Sequence, residues 1–436
     1  MAKYSRQDIL DLIEEEDIEF IRLQFTDISG NLKNMAMTVD QIDRILDGKC
    51  KFDCAAIDGF HVTGYEELFL IPDLDTFVIF PWRPQNGKVA RFICDVVKPD
   101  GTPFDGDSRY ILKKAIASAK EMGFDLEVAV KNEFFLFDLD EEGEPTNQTS
   151  EKGGYFDVGP ADGGENTRRD MVLYLADMGI EVASSYHSDE AGQHVLDLTH
   201  TDALTMADDV MTTRLGVRTV ARRHGVHGTF MPKPNAYAKG SGAHYIFSLH
   251  KDGVNLFDDN SDAFGISKLG YEFMAGLLKH IANMSLINNP IVNSYKRLVP
   301  GYLAPVFVGW SSKNSSPLIR FNSIGGDGAR LVLRNPDAAA NPYLVIASCI
   351  MAGLEGIREH MEPPVSMEEV KDGGDSGEML PRTLHEAVRR FEKDMFLQNI
   401  LGESISDHMI QKKNQEWNEY CMQVTQWETD RYLGNI

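Results

Sequence analysis

The sequence predicts an α+β protein of two domains, and three observations carry that reading. At 436 residues the chain exceeds what one hydrophobic core usually serves. Its first hundred residues combine short β-type runs with two short helices and end in a turn-rich connection. Beyond that point strands and helices mix irregularly, with neither βαβ alternation nor an all-β pattern and no internal repeat.

The elements follow in order. Arg6 to Glu16 has helical periodicity, and Glu19 to Phe25 reads as a strand ending in the turn signal Asp27-Ile28-Ser29-Gly30. A helix is expected over Val39 to Leu46. Two strands are expected at Thr76 to Trp82 and Val89 to Val97, joined by the hairpin signal Gln85-Asn86-Gly87. The Asp-Gly-Thr-Pro and Asp-Gly-Asp turns around Pro103 to Asp107 divide the chain into domains 1–104 and 105–436. A helix over Ser108 to Glu121 opens the second domain. Strands are predicted at Glu127 to Leu139, Ala243 to Leu249 and Ala329 to Arg334. Helices are predicted at Thr167 to Met178, Ala203 to His224, Lys268 to Met284, Pro342 to His360 and Thr383 to Gln398.

Composition narrows the function. Apolar residues at 42% and charged residues at 25% describe an ordinary globular chain. A formal charge of −24 argues against a general nucleic-acid binder and against adhesion to anionic membranes. Five scattered cysteines do not make a disulfide framework, and Cys50 and Cys54 form a C-x3-C with no second pair at zinc spacing. The acidic, amphipathic start is unlike a signal peptide, and no apolar run reaches the roughly 20 residues of a membrane span. A cytoplasmic location is expected.

Four segments carry chemistry. Lys152-Gly-Gly-Tyr-Phe-Asp157 is a glycine-rich turn, and Gly240-Ser-Gly-Ala-His244 sets a histidine at a strand start. Phe230-Met-Pro-Lys-Pro234 is a stiff basic segment, and Asn293-Ser-Tyr-Lys-Arg-Leu-Val-Pro-Gly-Tyr302 couples two cations to a turn. Each alone is weak. In this order, and with Ile21-Arg-Leu-Gln-Phe-Thr-Asp27, Pro72-Asp-Leu-Asp-Thr-Phe77 and Asn335-Pro-Asp-Ala-Ala-Ala-Asn-Pro-Tyr343, the chain resembles the type I glutamine synthetases, in their short, non-adenylylated branch.

The resemblance implies an N-terminal β-grasp-like domain and a C-terminal domain with a curved antiparallel sheet. It also implies a dodecamer of two hexameric rings with sites between neighbours. Magnesium or manganese and ATP would serve a ligation that joins glutamate to ammonia. It would place Asp53, Arg297 and Arg320 at catalytic positions, Gly240, Arg297 and Arg334 at the substrate, and Ser248, Arg320 and Arg330 at the nucleotide.

The pattern breaks where the family supplies five glutamates and one histidine for two cations. Hard divalent cations need several oxygen ligands. Here Glu133 and His244 remain, whereas Lys131, Ser188, Val195 and Val332 stand at the other four positions. Leu303 replaces the glutamate of the loop that closes over ammonia, Lys239 a substrate-contacting asparagine, Ala183 a nucleotide-side glutamate and Ser315 a phosphate-side arginine. Lys131 is expected to point into the cavity and balance Glu133, with no metal ion or ATP required. The leading expectation is therefore a ligand-binding, regulatory or structural oligomer unable to make glutamine, associated with itself or with an authentic glutamine synthetase. Two alternatives are a repurposed metal-free enzyme acting on a small amino acid or amine, and an active ATP-dependent glutamate–ammonia or γ-glutamyl-amine ligase.

Overall fold

The computed structural model describes residues 3–60, 66–83, 86–313, 317–322, 328–368 and 378–436. Two sheets organise them. The N-terminal sheet has five strands in the spatial order Leu32–Thr38, Ile18–Thr26, Lys88–Val97, Glu67–Ile79 and Cys50–Asp53. The pair Ile18–Thr26 and Lys88–Val97 runs parallel, and the others run antiparallel. Helix Arg6–Glu15 closes one face with Ile9 and Ile13; it starts at a capping box in which Ser5 and Asp8 exchange side-chain and backbone bonds.

The C-terminal sheet follows the path Trp310–Ser311, Ile319–Asn322, Arg330–Leu333, Ala243–Lys251, Asp125–Asp138, Gln193–Leu198 and Val182–His187. Its longest strand, Asp125–Asp138, alternates by period two. Val128, Val130 and Phe134 are fully buried against helices, while Lys131 and Glu133 face the other side. Neighbouring strands keep this register: Lys131 lies opposite His244 and Asp197, Glu133 opposite Val195, and Val332 opposite both Ile246 and Arg320. One sheet face thus forms the greasy floor of the helices, and the other gathers the polar residues.

Helices Lys268–His280 and Pro342–Arg358 cross backbone to backbone under that floor. A Cβ on Gly276 would fall 2.0 Å from the Ala352 carbonyl, and one on Gly356 would fall 2.0 Å from that of Glu272. The two sheets are tied together by Arg109, on helix Ser108–Glu121. Its guanidinium, 3% exposed, meets Asp73 and Asp95 of the N-terminal sheet and Asp208 of helix Ala203–Arg223, at 2.6 to 2.9 Å.

The α+β class stands, and several boundaries shift. Strand Leu32–Thr38 escaped the sequence reading because none of its positions is buried and its apolar residues do not keep one parity: Leu32 and Ala36 fall on one, Met35 and Met37 on the other. The helix expected to run to Met284 ends at His280. The stretch read as Thr383 to Gln398 is two helices, Leu384–Phe391 and Met395–Leu401, because Asp394 turns to cap the Leu397 amide. The strands Val182–His187 and Gln193–Leu198 had been read only as motif residues. The hairpin signal begins at Gln85, outside the described residues; the strands flanking it pair antiparallel.

Candidate functional site

The polar sheet face carries most of the residues singled out from sequence. Lys131 and Glu133 project from adjacent same-face positions of the long strand. Glu133 is held by a reciprocal bond with the loop before strand Ala243–Lys251: its carboxylate accepts from the Gly242 amide at 2.7 Å, while its own amide donates to the Gly242 carbonyl at 3.1 Å. Lys131 turns the other way. Its ammonium lies over the Tyr186 ring, 5.1 Å from the ring centre. Burial opposes its charge, but Tyr186, Glu133 and Asp197 outweigh burial and raise its pKa above the ordinary lysine value. The direct Lys131–Glu133 ion pair expected from sequence is thus corrected. The ammonium leans on a phenol instead, and no Lys131–carboxylate contact within 4.0 Å occurs among the described residues.

His244 sits opposite Lys131. Burial, and then Arg334, Lys131 and Arg297, push its pKa well below the usual histidine range, so the ring is neutral at pH 7. Arg297, on the four-residue helix Ser294–Arg297, is 3% exposed and donates to the carbonyls of Asn335 and Arg334 at 2.8 and 3.1 Å. Glycines make room for it. A Cβ at Gly240 would meet the Pro232 carbonyl at 2.4 Å, and one at Gly242 would meet the Arg297 guanidinium at 2.5 Å. Arg334 is pulled down to about 10 by burial and by Arg297, against Glu133. Buried nitrogens of Arg320, Arg330 and Arg334 have no hydrogen-bond partner.

The remaining positions scatter around this centre. Val195 is fully buried opposite Glu133, and Val332 lies across from Arg320. Ser188 is buried where the hairpin turns, its amide bonded to the Gln193 carbonyl at 2.7 Å. Lys239 pairs with Asp189 at 3.2 Å. Leu303 is 61% exposed in a loop with φ of 62°. Ser248 lies further along its strand, 3.0 Å from His250. Asp53 stands on the N-terminal sheet, where its carboxylate caps the Ala55 amide at 2.8 Å. Ala183 is exposed near the start of its strand, and Ser315 lies outside the described residues.

Can these residues hold two divalent cations? Of the six positions that the resemblance implies, Glu133 and His244 offer donors. Glu133 already spends one oxygen on the Gly242 amide, and Lys131, on the same sheet face, carries an ammonium where a carboxylate would be needed. Valines offer no lone pair at all. The fit fails on the chemistry of the donor set.

The structure also gathers a cluster that the sequence reading did not foresee. Glu151, Asp162, His187 and His194 bring metal-type donor atoms within 4.8 Å of one another, so the expectation that no metal would be called for acquires a competing candidate. The donors are occupied, however. One Glu151 oxygen accepts from His187 at 2.8 Å and from the Gly192 amide at 2.5 Å; the other accepts from the Gly164 amide at 2.9 Å. Asp162 receives both arms of Arg168, the nearer at 2.7 Å. Arg168 also donates to Nδ1 of His194 at 2.8 Å, which leaves the proton of that neutral ring on Nε2, 3.4 Å from Glu151. Arg168 therefore supplies the positive charge there. Glycines make room for the rings: a Cβ on Gly153, in the glycine-rich turn, would strike His187 at 2.7 Å, and one on Gly164, outside that turn, would strike His194 at 2.5 Å.

Comparison with known proteins gives a consistent answer. The profile of the glutamine synthetase catalytic domain matches residues 105–432, and that of the glutamine synthetase β-grasp domain matches residues 17–99. A protein of Clostridium saccharobutylicum named glutamine synthetase is 49% identical over 443 residues, covering 100% of both chains. A Staphylococcus aureus protein of the same name is 44% identical over 440 residues, covering 99% of this chain and 98% of the relative. Among solved structures, GmaS in complex with ADP superposes with a TM-score of 0.89 at 30% identity, covering 98% of this chain and 99% of that one. The Plasmodium falciparum glutamine synthetase, at 24% identity over 99% of each chain, shares the fold with a TM-score of 0.88.

Proposed function

The chain belongs to the glutamine synthetase family, and from that premise we propose that it is a ligand-binding member whose pocket works without the family's metal pair. One observation carries this reading. Around Glu133 and His244 the sheet face presents Lys131, Val195 and Val332, with Ser188 at the hairpin turn, where paired cations would need carboxylates. Phosphoryl transfer to a carboxylate depends on neutralising charge as it develops. Losing one such stabiliser commonly costs about 10²–10³ in rate, and these losses act on one transition state, so they do not simply multiply. The test is ADP release from ATP with glutamate and ammonia, in magnesium and in manganese. Turnover indistinguishable from a no-ammonia control is expected; robust release that needs both co-substrates and metal would overturn the proposal.

The comparisons favour a second reading, active ATP-dependent ligation of glutamate and ammonia, because full-length relatives at 49% and 44% identity carry the name glutamine synthetase. The same assay decides between the two.

As to assembly, we propose a homo-oligomer, with twelve subunits as the specific expectation. The C-terminal helices Glu403–Cys421 and Gln426–Tyr432 leave Met422, Val424, Trp427 and Leu433 largely exposed, an apolar arm that water tolerates poorly. Mass measured in solution tests it: a monomer would refute the assembly, and removing residues 423–436 should lower the mass of the particle. Among the described residues no helix is long and apolar enough to cross a membrane.

A further inference from the structure

We infer that the groove between the N-terminal sheet and helix Ala203–Arg223, separate from the polar sheet face, is a docking site for a short acidic, amphipathic segment of a partner protein.

Three observations point to such a partner. First, the groove encloses roughly 1390 Å³ and is lined by eight lysines and arginines, with no aspartate or glutamate among the described residues. The whole chain has the opposite bias, 67 acidic residues against 43 basic ones. Second, Arg22, Arg83, Arg218 and Arg222 of that lining have no carboxylate within 4.0 Å among the described residues. Burial, and then the neighbouring charge of Arg83, lower the pKa of Arg22. Third, Arg214 in the groove wall is 6% exposed; its Nη2 donates to the Ala340 carbonyl at 2.9 Å, and its Nε makes no hydrogen bond. Buried donors are ordinarily satisfied, and guanidinium groups match carboxylates in geometry and charge.

Exposed arginines on a convex face are simply solvated. Here they share a concave surface with apolar side chains. Met211, Leu215, Arg218 and Arg222 run down one face of helix Ala203–Arg223, from buried methionine through half-buried leucine to exposed arginines. Half-buried Leu32 and Ile291 and exposed Met231 line the same groove. An occupant that uses both kinds of surface carries carboxylates and large apolar side chains together.

Size and field select among anions. Pockets for small ligands usually hold about 300–1,000 Å³, so this groove suits a chain segment better than a metabolite. The lining rings of Phe80, Trp82 and Phe230 are buried and offer no open face to stacking bases, and a formal charge of −24 repels a long polyanion. A segment with a few acids escapes both objections, its apolar anchors supplying affinity and its charges orientation.

Fluorescence anisotropy on the intact, full-length protein tests the inference, with a labelled peptide that sets glutamates and leucines at helical spacing. The same peptide with glutamine for glutamate, oligothymidylate and citrate are the comparison ligands. The acidic peptide should bind with a dissociation constant of about 100 µM or tighter, the glutamine version about tenfold more weakly, and rising salt should weaken the former. Arg218→Gln combined with Arg222→Gln should weaken binding about tenfold or more, whereas Arg389→Gln, on an exposed helix outside the groove, should not. If the first pair fails to fold, Arg22→Gln combined with Arg83→Gln, on the N-terminal side of the groove, carries the test. No binding, equal affinity for both peptides, or undiminished affinity in both pairs of variants would overturn the proposal. So would oligothymidylate or citrate binding more tightly than the acidic peptide, which would mark a nucleic-acid or small-anion groove. Binding that appears only after residues 423–436 are removed would assign the groove to a second copy of this chain and overturn it equally.

Discussion

Replacing Lys131 with glutamate isolates the charge logic of the pocket. The change sets a second carboxylate two residues from Glu133 on the same strand face, at a spacing of roughly 6–7 Å. At an effective dielectric near 20, two like charges that far apart repel by about 2–3 kcal/mol, reduced where water reaches them. The variant also loses the ammonium whose charge Glu133 and Asp197 sustain in the native pocket. Lys131→Met removes the attraction without adding the repulsion, so the difference between the two variants reports like-charge cost and not packing. At a few degrees or less per kcal/mol for a chain of this size, Lys131→Glu should melt several degrees below Lys131→Met in chelator. Differential scanning fluorimetry at low and high salt provides the readout, and the gap should narrow as salt screens the pair. Equal melting temperatures for Lys131→Glu and the unmodified protein would mean that the side chain swings into solvent and that this pocket is not balanced by charge.

Three further outcomes are expected. Restoring glutamate together at Lys131, Ser188, Val195 and Val332 should create divalent-cation binding measurable by calorimetry with manganese; a variant that folds yet shows no such heat would mean more than ligand identity separates this pocket from a metal site. Gly276→Val should abolish soluble expression or cost more than about 3 kcal/mol, because the new side chain meets backbone 2.0 Å from its Cβ and cannot be absorbed by a rotamer change; near-native stability by urea unfolding would show that the two helices can separate. His280, held at 3.0 Å by Asp394 and at 2.6 Å by Glu355, has its pKa raised by both acids against the pull of burial, while Asp394 drops to about 2. A raised histidine stabilises fully below its unfolded value near 6.5 and loses that contribution as pH rises through the folded one, so the melting deficit of His280→Gln should shrink from about pH 6 to about pH 9; a deficit that grows with pH would refute the assignment.

Much of the architecture was legible because period and punctuation agree. Asp125–Asp138 alternates buried and half-exposed positions over most of its length, and Ala203–Arg223 begins at an Asp202 cap and keeps an apolar stripe. What escaped notice depended on tertiary partners. Strand Leu32–Thr38 buries no residue and is recruited by pairing with Ile18–Thr26. At the site, strand parity correctly sent Lys131 and Glu133 to one face, yet it could not say where a flexible four-carbon stem would rest. Tyr186, opposite Val195 on the next strand but one, took the ammonium. The knot of Glu151, Asp162, Arg168, His187 and His194 was invisible for a different reason. Its members span more than forty positions, and only the pairing of His187 with His194 across the hairpin brings the rings together.

The turn-rich stretch near residue 104 suggests a place to cut the chain, but Arg109 lies beyond it. A fragment ending there would keep Asp73 and Asp95 and discard the guanidinium that faces them both, leaving two carboxylates to find water on a surface shaped for contact. The complementary fragment would carry Arg109 with Asp208 alone, and Tyr343, whose hydroxyl donates to Asp208 at 2.7 Å, would feel the change. Modularity in the amino-acid string and autonomy in solution are therefore different properties. Anyone grafting the N-terminal sheet onto another scaffold would have to bring a cation with it.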